Sequence, residues 1–387
     1  MEKIREKALE WPAGVVPSLR LFAVFGAVVV LVGAAVDPRA IGANLLLAGW
    51  YAAGIGLGAL FFVAVHSVAG ARWTRSLERI PVSLAPLVPF GALVVLLAMI
   101  GAGSQIYPWM RESVGHDGSF KHLWLTPSFV ILRAMIYAAS WIAFARAFSR
   151  RAATKRLSAA FLVVFGVTVS LASIDWLMSL EPHWYSTMFG VYHFAGLFLS
   201  ALAVITILAI LLSERGDLPA FGRSQLHDLG KLLFAFSTFW MYIWFSQAML
   251  IWYGNIPEEA IHYTARLRGD WTTMFVLSPL LNWVIPFFVL LSKRAKMNPK
   301  IVLRVALILL VGRWADLYVE IMPALSPAGP RISGWDAAIG FGVLSLGALL
   351  VLRALENGGS ARAPEARHRV APELLHLPPE PRSGDIG

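Results

Sequence analysis

Residues 191 to 212 read VYHFAGLFLSALAVITILAILL and contain no Asp, Glu, Lys or Arg. A helix of about 20 such residues crosses the hydrocarbon core of a bilayer, which is about 30 Å thick. Similar apolar runs recur along nearly the whole chain, and only 14% of its residues are charged, against about 25% in a soluble domain. The sequence therefore predicts an all-α integral membrane protein.

The apolar runs predict about ten transmembrane helices within a membrane domain of residues 1–355. Residues 356–387 are rich in Pro, Gly, Glu and Arg and lack a periodic apolar face, so we expect a disordered tail. The predicted helices lie at roughly 17–36, 41–68, 84–106, 126–148, 157–178, 185–212, 229–253, 272–291, 301–324 and 335–353.

The basic residues are concentrated on one side of this predicted topology. Most of the 33 Lys and Arg residues lie in the N-terminal segment, in the loops after helices 2, 4, 6 and 8, or in the tail. The positive-inside rule places that side in the cytoplasm, together with both termini. The net charge of +10 thus reflects topology and does not indicate nucleic-acid binding. The loops of the opposite side contain Arg39, Arg111, Lys121, Arg266, Arg268 and Arg331.

Several kinds of redox centre are excluded by composition. The chain has no cysteine, which rules out disulfides, thiolate-held iron–sulfur clusters and a cysteine nucleophile. His66 and His193 are predicted on opposite sides of the midplane, so a haem held by two facing histidines is also rejected. No metal-ligand spacing stands out. The charged N-terminal residues do not resemble a signal peptide, and we expect the first helix to be retained.

Short motifs recur at offsets of 141 to 147 residues, with the difference absorbed in a loop, which indicates an internal duplication. They predict two four-helix repeats, helices 2–5 (about 41–178) and helices 6–9 (about 185–324), with helices 1 and 10 flanking them. Because four is even, both repeats would enter the membrane in the same orientation. The alternative is that membrane helices share such features without duplication. The matched motifs are Gly49-Trp50-Tyr51 with Gly190-Val191-Tyr192, Ser104-Gln105 with Ser246-Gln247, Trp124-Leu125-Thr126 with Trp271-Thr272-Thr273, and Asp175…Pro182 with Asp316…Pro323.

Ionisable side chains inside a bilayer are costly and often mark a pathway or site. Arg313, Asp316 and Glu320 share one face of predicted helix 9, in its outer half. Asp175 lies near the outer end of helix 5, and His66 near the cytoplasmic end of helix 2. These five residues are candidates for a proton path, because buried carboxyl groups and histidine can exchange protons near neutral pH. An inert ion pair that holds helices together is the alternative.

The middle of the membrane has few charged groups, so a proton path would depend there on water and on uncharged polar side chains. The candidates are Ser237, Thr238, Tyr242 and Asn282.

A quinone site at the outer end of helices 3–5 is a second interpretation of the polar residues. A quinone needs hydrogen-bond partners for both carbonyls and a proton acceptor. The side chains that could gather there are Gln105, His122, Arg133 and Asp175.

Two stretches carry a resemblance to a known family: residues 175–192, DWLMSLEPHWYSTMFGVY, continued by HFAG, and residues 239–259, FWMYIWFSQAMLIWYGNIPEE. They resemble the F membrane subunit of bacterial alternative complex III, which belongs to the polysulfide-reductase/nitrite-reductase membrane-subunit superfamily. The resemblance extends over the ten helices but not the tail. It implies two four-helix bundles with flanking helices, in the bacterial cytoplasmic membrane.

The resemblance also implies a function in a complex that oxidises quinol and passes electrons to a periplasmic cytochrome c or similar carrier. This chain would be a non-redox subunit without a catalytic cofactor. Haem and iron–sulfur clusters would reside in partner subunits, and menaquinone or another quinone could bind. The implied partners are cytochrome c subunits, an iron–sulfur subunit, a homologous ten-helix membrane subunit and lipid.

Within such a complex, the resemblance implies that the chain anchors its partners and provides a transmembrane proton path near Asp175, Asp316 and Glu320. A secondary transporter is an alternative from a different functional class of membrane protein. It is less favoured, because transporters often have inverted repeats and helices broken at the midplane. A purely structural anchor with inert ion pairs also remains open.

Overall fold

The computed structural model describes residues 11–71, 73–112, 119–150, 153–330 and 333–361. All the regular elements in these ranges are helical. Nine helices in the described ranges are long and apolar enough to cross a membrane. The chain is therefore a multi-pass, all-helical membrane protein.

Ten long helices, labelled α1 to α10, account for most of the described residues. Short helices between them occupy Trp73–Leu77, Arg79–Ser83, Pro108–Met110, Phe120–Trp124, Met178–Leu180, Pro257–Arg266 and Lys293–Lys296. The long helices are α1 (Val15–Val36), α2 (Pro38–Ala69), α3 (Leu87–Ile106), α4 (Pro127–Arg150), α5 (Lys155–Trp176), α6 (Phe189–Glu214), α7 (Arg223–Gly254), α8 (Trp271–Leu290), α9 (Pro299–Ile321) and α10 (Gly334–Ala361).

Of the ten long helices, α9 is the one that is not apolar enough to be included in the nine candidate membrane spans. It has 23 residues, enough to cross a hydrocarbon core, but it carries more charge than the other helices. Its ionisable residues are Lys300, Arg304, Arg313, Asp316 and Glu320.

The predicted helices match the observed ones apart from their ends. Helix α7 begins at Arg223 rather than at residue 229, because a polar first turn precedes its apolar part. Helix α10 continues to Ala361 rather than ending at residue 353. Residues 356–361, assigned to the disordered tail from sequence, thus belong to α10, and residues 362–387 lie outside the described residues.

Helices α2 and α6 form the centre of the bundle. In the apolar segments of α2 and α6, 67% and 78% of the residues are buried. The share is 11% in α1, which packs on α10 at the periphery. Helix α2 contacts α3, α5, α6, α9 and α10. Side chains on α6 therefore reach the interior of the bundle from a rigid, central position.

Small residues allow α2 and α3 to pack closely. A Cβ atom added at Gly91 on α3 would overlap the backbone nitrogen of Ala53 and the carbonyl oxygen of Gly49, both on α2. Close approach of backbones at Gly is a common way for membrane helices to associate. A Cβ atom added at Gly101, on the same helix, would meet no neighbouring group within 4 Å.

We expect Gly91→Ala to lower stability by about 1–3 kcal/mol, because the added methyl group must push α3 away from α2. Gly101→Ala is the matched control on the same helix. It should be neutral or stabilising by up to about 1 kcal/mol, because Ala favours the helix over Gly. Thermal unfolding of the two variants in detergent tests this, and equal melting temperatures would contradict the proposed helix contact.

Candidate functional site

Asp316 on α9 is the centre of a buried polar network. Its Oδ2 atom lies 2.7 Å from Arg313 Nη1, one turn earlier on the same helix. Its Oδ1 atom accepts hydrogen bonds from the Tyr192 hydroxyl at 2.5 Å and from the Ser278 hydroxyl at 2.6 Å. Both charged side chains are only 2% exposed. The network thus joins α6, α8 and α9, and it gives a buried charge the partners it needs.

Arg313 lies against α6 at Gly196. A Cβ atom at Gly196 would overlap the guanidinium group, so the close approach requires Gly there. The guanidinium carbon also lies 5.3 Å from the ring centroid of Trp240, a cation–π distance. His193, one turn before Gly196, is 1% exposed, and neither of its ring nitrogens has a hydrogen-bond partner among the described residues. Unpaired polar atoms therefore lie beside the ion pair.

A second polar cluster, called the outer cluster after the side predicted for it, covers the C-terminal end of α9. The buried Arg266 side chain donates to Glu181 Oε1 at 3.0 Å and to the carbonyl oxygens of Val319 and Glu320. These carbonyls belong to the last turn of α9, where a cation is favourable to the helix dipole. His262 Nδ1 lies 2.5 Å from Glu181 Oε2. Arg266 thus fixes both the end of α9 and the Glu181–His262 pair.

Glu320 lies between the outer cluster and the Asp316 network. Its Oε2 atom is 3.8 Å from His262 Nε2, and its side chain is 11% exposed. It stands one helical turn from Asp316. The Glu181 side chain is 21% exposed. Titratable side chains therefore lie in the order Glu181, His262, Glu320 and Asp316, from the partly exposed end to the buried end.

The network continues from Asp316 toward α7 through an irregular part of α8. Asn282 Nδ2 donates to the Ser278 carbonyl at 2.9 Å, and the Ser237 hydroxyl on α7 donates to the Asn282 carbonyl at 2.6 Å. Asn282 lies in a π-helical turn, Leu280–Val284, directly after Pro279. Proline lacks an N–H group and interrupts the helix, and π-helical turns are frequent at functional sites.

Asp175 on α5 lies in a different cluster, which the sequence prediction did not separate from the first. Arg133 Nε and Nη2 lie 2.8 and 2.9 Å from its two carboxylate oxygens. The Trp124 indole and the Tyr137 hydroxyl each donate at 2.9 Å. Asp175 is fully buried, and four donors occupy its oxygens. This geometry is typical of a structural ion pair.

An aromatic layer lies between the two carboxylate clusters. The Trp176 ring, next to Asp175, packs edge-on against Trp50 at 5.6 Å, and Trp50 packs against His193 at 5.8 Å. Among the described residues, no hydrogen bond or ion pair joins Asp175 to Arg313, Asp316 or Glu320. Of the five residues predicted for a proton path, the structure thus brings together the three that lie on α9.

The remaining predicted site residues have local partners. His66 Nδ1 lies 2.7 Å from the Phe62 carbonyl of its own helix, and its ring packs on Phe62 and Trp73. Gln105 Oε1 accepts from Ser104. His122 lies in the short helix Phe120–Trp124. Of the quinone set, Arg133 and Asp175 contact each other.

The four residues predicted for the middle of the path lie in different surroundings. Ser237 and Asn282 belong to the network described above. Thr238 donates to the Phe234 carbonyl of its own helix instead. Tyr242, by contrast, is 63% exposed, on the surface of the bundle.

Glu181, His262 and Arg266 are not among the site residues predicted from the sequence. The loop residues contribute there only to the count of basic charge on each side of the membrane. A signal was present: His262 and Arg266 are four residues apart, and they share a face of the helix Pro257–Arg266. Glu181 lies within the quoted stretch 175–192. Tyr192 and Ser278 were also missed, since only the three-dimensional packing brings their hydroxyl groups to Asp316.

Comparison with protein families finds no match, and no curated protein matches the chain significantly. In the part of the chain that the structure describes, no group of three or more His, Asp or Glu side chains is placed to hold a metal ion. The interpretation of the site therefore depends on its own geometry.

The outer cluster predicts that stability falls on acidification. Burial raises the pKa of Glu181, but the charges of Arg266 and His262 lower it to about 2. Burial, together with Arg266, lowers the pKa of His262 to about 4. The unfolded chain thus binds more protons than the folded chain, at His262 between pH 6.5 and 4 and at Glu181 between pH 4.5 and 2.

We therefore expect the melting temperature to fall as the pH is lowered from about 6.5, through both windows, toward about 2. His262→Asn should flatten the slope between pH 6.5 and 4. His183→Asn, an exposed histidine in the neighbouring loop, is the control and should leave the slope unchanged. An unchanged slope in the His262 variant would contradict the assignment.

The Arg133–Asp175 pair predicts a strongly non-additive double variant. Asp175→Leu alone leaves the guanidinium buried and unpaired, and should cost about 3–5 kcal/mol. The combined Arg133→Met/Asp175→Leu variant should be less destabilised than Asp175→Leu, because both charges are then removed. Denaturation of the single and double variants in detergent measures the coupling, and simple additivity would count against a structural ion pair.

Proposed function

We propose that the chain is a non-redox membrane subunit of a quinol-oxidising respiratory complex, of the kind resembled by its sequence, and that its outer half conducts protons. The main support is the order of titratable side chains: Glu181 and His262 have atoms 2.5 Å apart, His262 and Glu320 have atoms 3.8 Å apart, and Glu320 stands one helical turn from Asp316. An inert ion pair accounts for Arg313 and Asp316, but it does not require a second buried carboxyl group and a histidine between them and the exterior.

The proposed topology has ten spans, because α9 is counted in addition to the nine apolar helices. Both termini lie in the cytoplasm, and the two repeats are α2–α5 and α6–α9. Two comparable carboxylates support the repeats. Asp175 accepts from Arg133 and Tyr137, and Asp316 accepts from Arg313 and Tyr192. Each carboxylate lies near the end of the fourth helix of its proposed repeat. The donors differ in origin: both the arginine and the tyrosine come from the third helix in the first repeat, whereas they come from the fourth and the first helix in the second.

His262 is the group that would pass protons between the two glutamates. Its Nε2 atom faces Glu320, and its Nδ1 atom faces Glu181. A neutral imidazole can accept a proton at one nitrogen and release another from the second. A proton leaving Glu320 would enter at Nε2, and the Nδ1 proton would pass to Glu181, whose low pKa makes it release the proton at once to the aqueous phase.

Arg313 and the hydroxyl groups of Tyr192 and Ser278 would hold Asp316 in position. Ser278 leads on to Asn282 and Ser237, which extend the polar region inward. We confine the proposed path to the outer half, because among the described residues no hydrogen bond or ion pair joins His66 to another titratable side chain, and its ring nitrogen is paired with the Phe62 carbonyl.

The direct quinone site is the less favoured function within the same complex. Asp175 would have to accept a proton there, yet its oxygens already receive four hydrogen bonds. A secondary transporter remains a second candidate, favoured by one observation: the break of α8 at Pro279 and the π-helical turn Leu280–Val284, since transporter sites are often formed by interrupted helices.

Glu320→Gln should remove most of the coupled proton translocation of the assembled complex while quinol oxidation continues, because Gln cannot carry the proton between Asp316 and His262. Proton release can be followed with a pH-sensitive dye in vesicles that contain the purified complex. Glu258→Gln, which changes an exposed carboxyl group at the start of the helix Pro257–Arg266, is the control. Undiminished translocation in the Glu320 variant would contradict the proposal.

A further inference from the structure

A cavity of about 830 Å³ lies at the opposite end of the bundle from the carboxylate network. It is formed where α6 ends at Glu214 and where α7 and α9 begin, at Arg223 and Pro299. Its size is within the range of about 300–1,000 Å³ typical of ligand pockets. The cavity thus lies at the end of the helix bundle that carries the basic loops.

The cavity has a cationic rim and an apolar floor. Arg223, Arg294 and Lys300 line it, are exposed, and form no ion pair that the structure records among its described residues. Lys296, close by in sequence, is used differently: its Nζ atom donates to the Leu290 carbonyl at 2.8 Å. Ile210 and Leu226, from the spans α6 and α7, contribute to the floor.

The charge of the lining fits two monoanionic groups. Three cations and the single acidic residue Glu214 leave a net charge of +2. The positive ends of α7 and α9 also meet at the cavity, which adds to its attraction for anions. A cationic rim above an apolar floor matches an amphiphile rather than a free anion, and basic pockets between membrane helices are suited to diphosphatidyl lipids.

We propose that this cavity binds the headgroup of a cardiolipin-type lipid, with two phosphodiesters. Arg223, Arg294 and Lys300 contact the phosphates, and the acyl chains follow the apolar surface of α6 and α7. The site is independent of the proton path, since no residue is shared between the two.

The test uses the full chain, purified in mild detergent and stripped of lipid, with native mass spectrometry and thermal unfolding as readouts. Cardiolipin should be retained and should raise the melting temperature saturably. Phosphatidylcholine and inorganic phosphate should not. The combined Arg223→Gln/Arg294→Gln/Lys300→Gln variant should bind cardiolipin on the order of 100-fold more weakly, at about fivefold for each cation.

Two further variants decide the proposal if the triple variant does not fold. Glu214→Gln should bind cardiolipin more tightly than the unaltered chain, because it removes the only acidic residue of the lining. Lys155→Gln/Arg156→Gln, at the exposed start of α5, should not change binding. The proposal is overturned if Glu214→Gln has no effect, if the triple variant binds like the unaltered chain, or if inorganic phosphate protects as well as cardiolipin.

Discussion

The buried ion pair between Arg313 and Asp316 is the constraint on which the second half of the bundle depends. Two full charges within apolar surroundings must be compensated inside the protein. The compensation comes from Tyr192 on α6 and Ser278 on α8, and the space comes from Gly196, whose missing side chain admits the guanidinium group. The relative positions of α6, α8 and α9 follow from these contacts.

The outer cluster covers this arrangement at the C-terminal end of α9. Arg266 binds the carbonyl groups of the last turn of α9 and the Glu181 carboxylate. The His262 ring is stacked on Trp184 at 3.8 Å, so its orientation between Glu181 and Glu320 is held by packing. A rigid histidine between two carboxyl groups is a geometry suited to proton exchange, and only Glu181 has substantial exposure in this series.

Hydropathy is sufficient to predict the helices, because each apolar run must span the membrane as a helix to satisfy its backbone. The spacing of three and four residues along the helix is sufficient to place Arg313, Asp316 and Glu320 on one face. The partners of Asp175 were not predictable in the same way. Spacing along a single helix does not tell whether α5 turns its carboxylate toward Arg133 or toward α9. The observed choice depends on the packing of Trp50 and Trp176 between the two clusters.

The central claim is that Glu320 exchanges protons with the exterior through His262. Infrared difference spectroscopy of the purified chain, recorded as the external pH is stepped, tests it most directly. We predict a protonated-carboxyl band that responds to pH, is absent in Glu320→Gln and responds more slowly in His262→Asn. A band that is unaffected by both substitutions, or no pH-dependent carboxyl band at all, would contradict it.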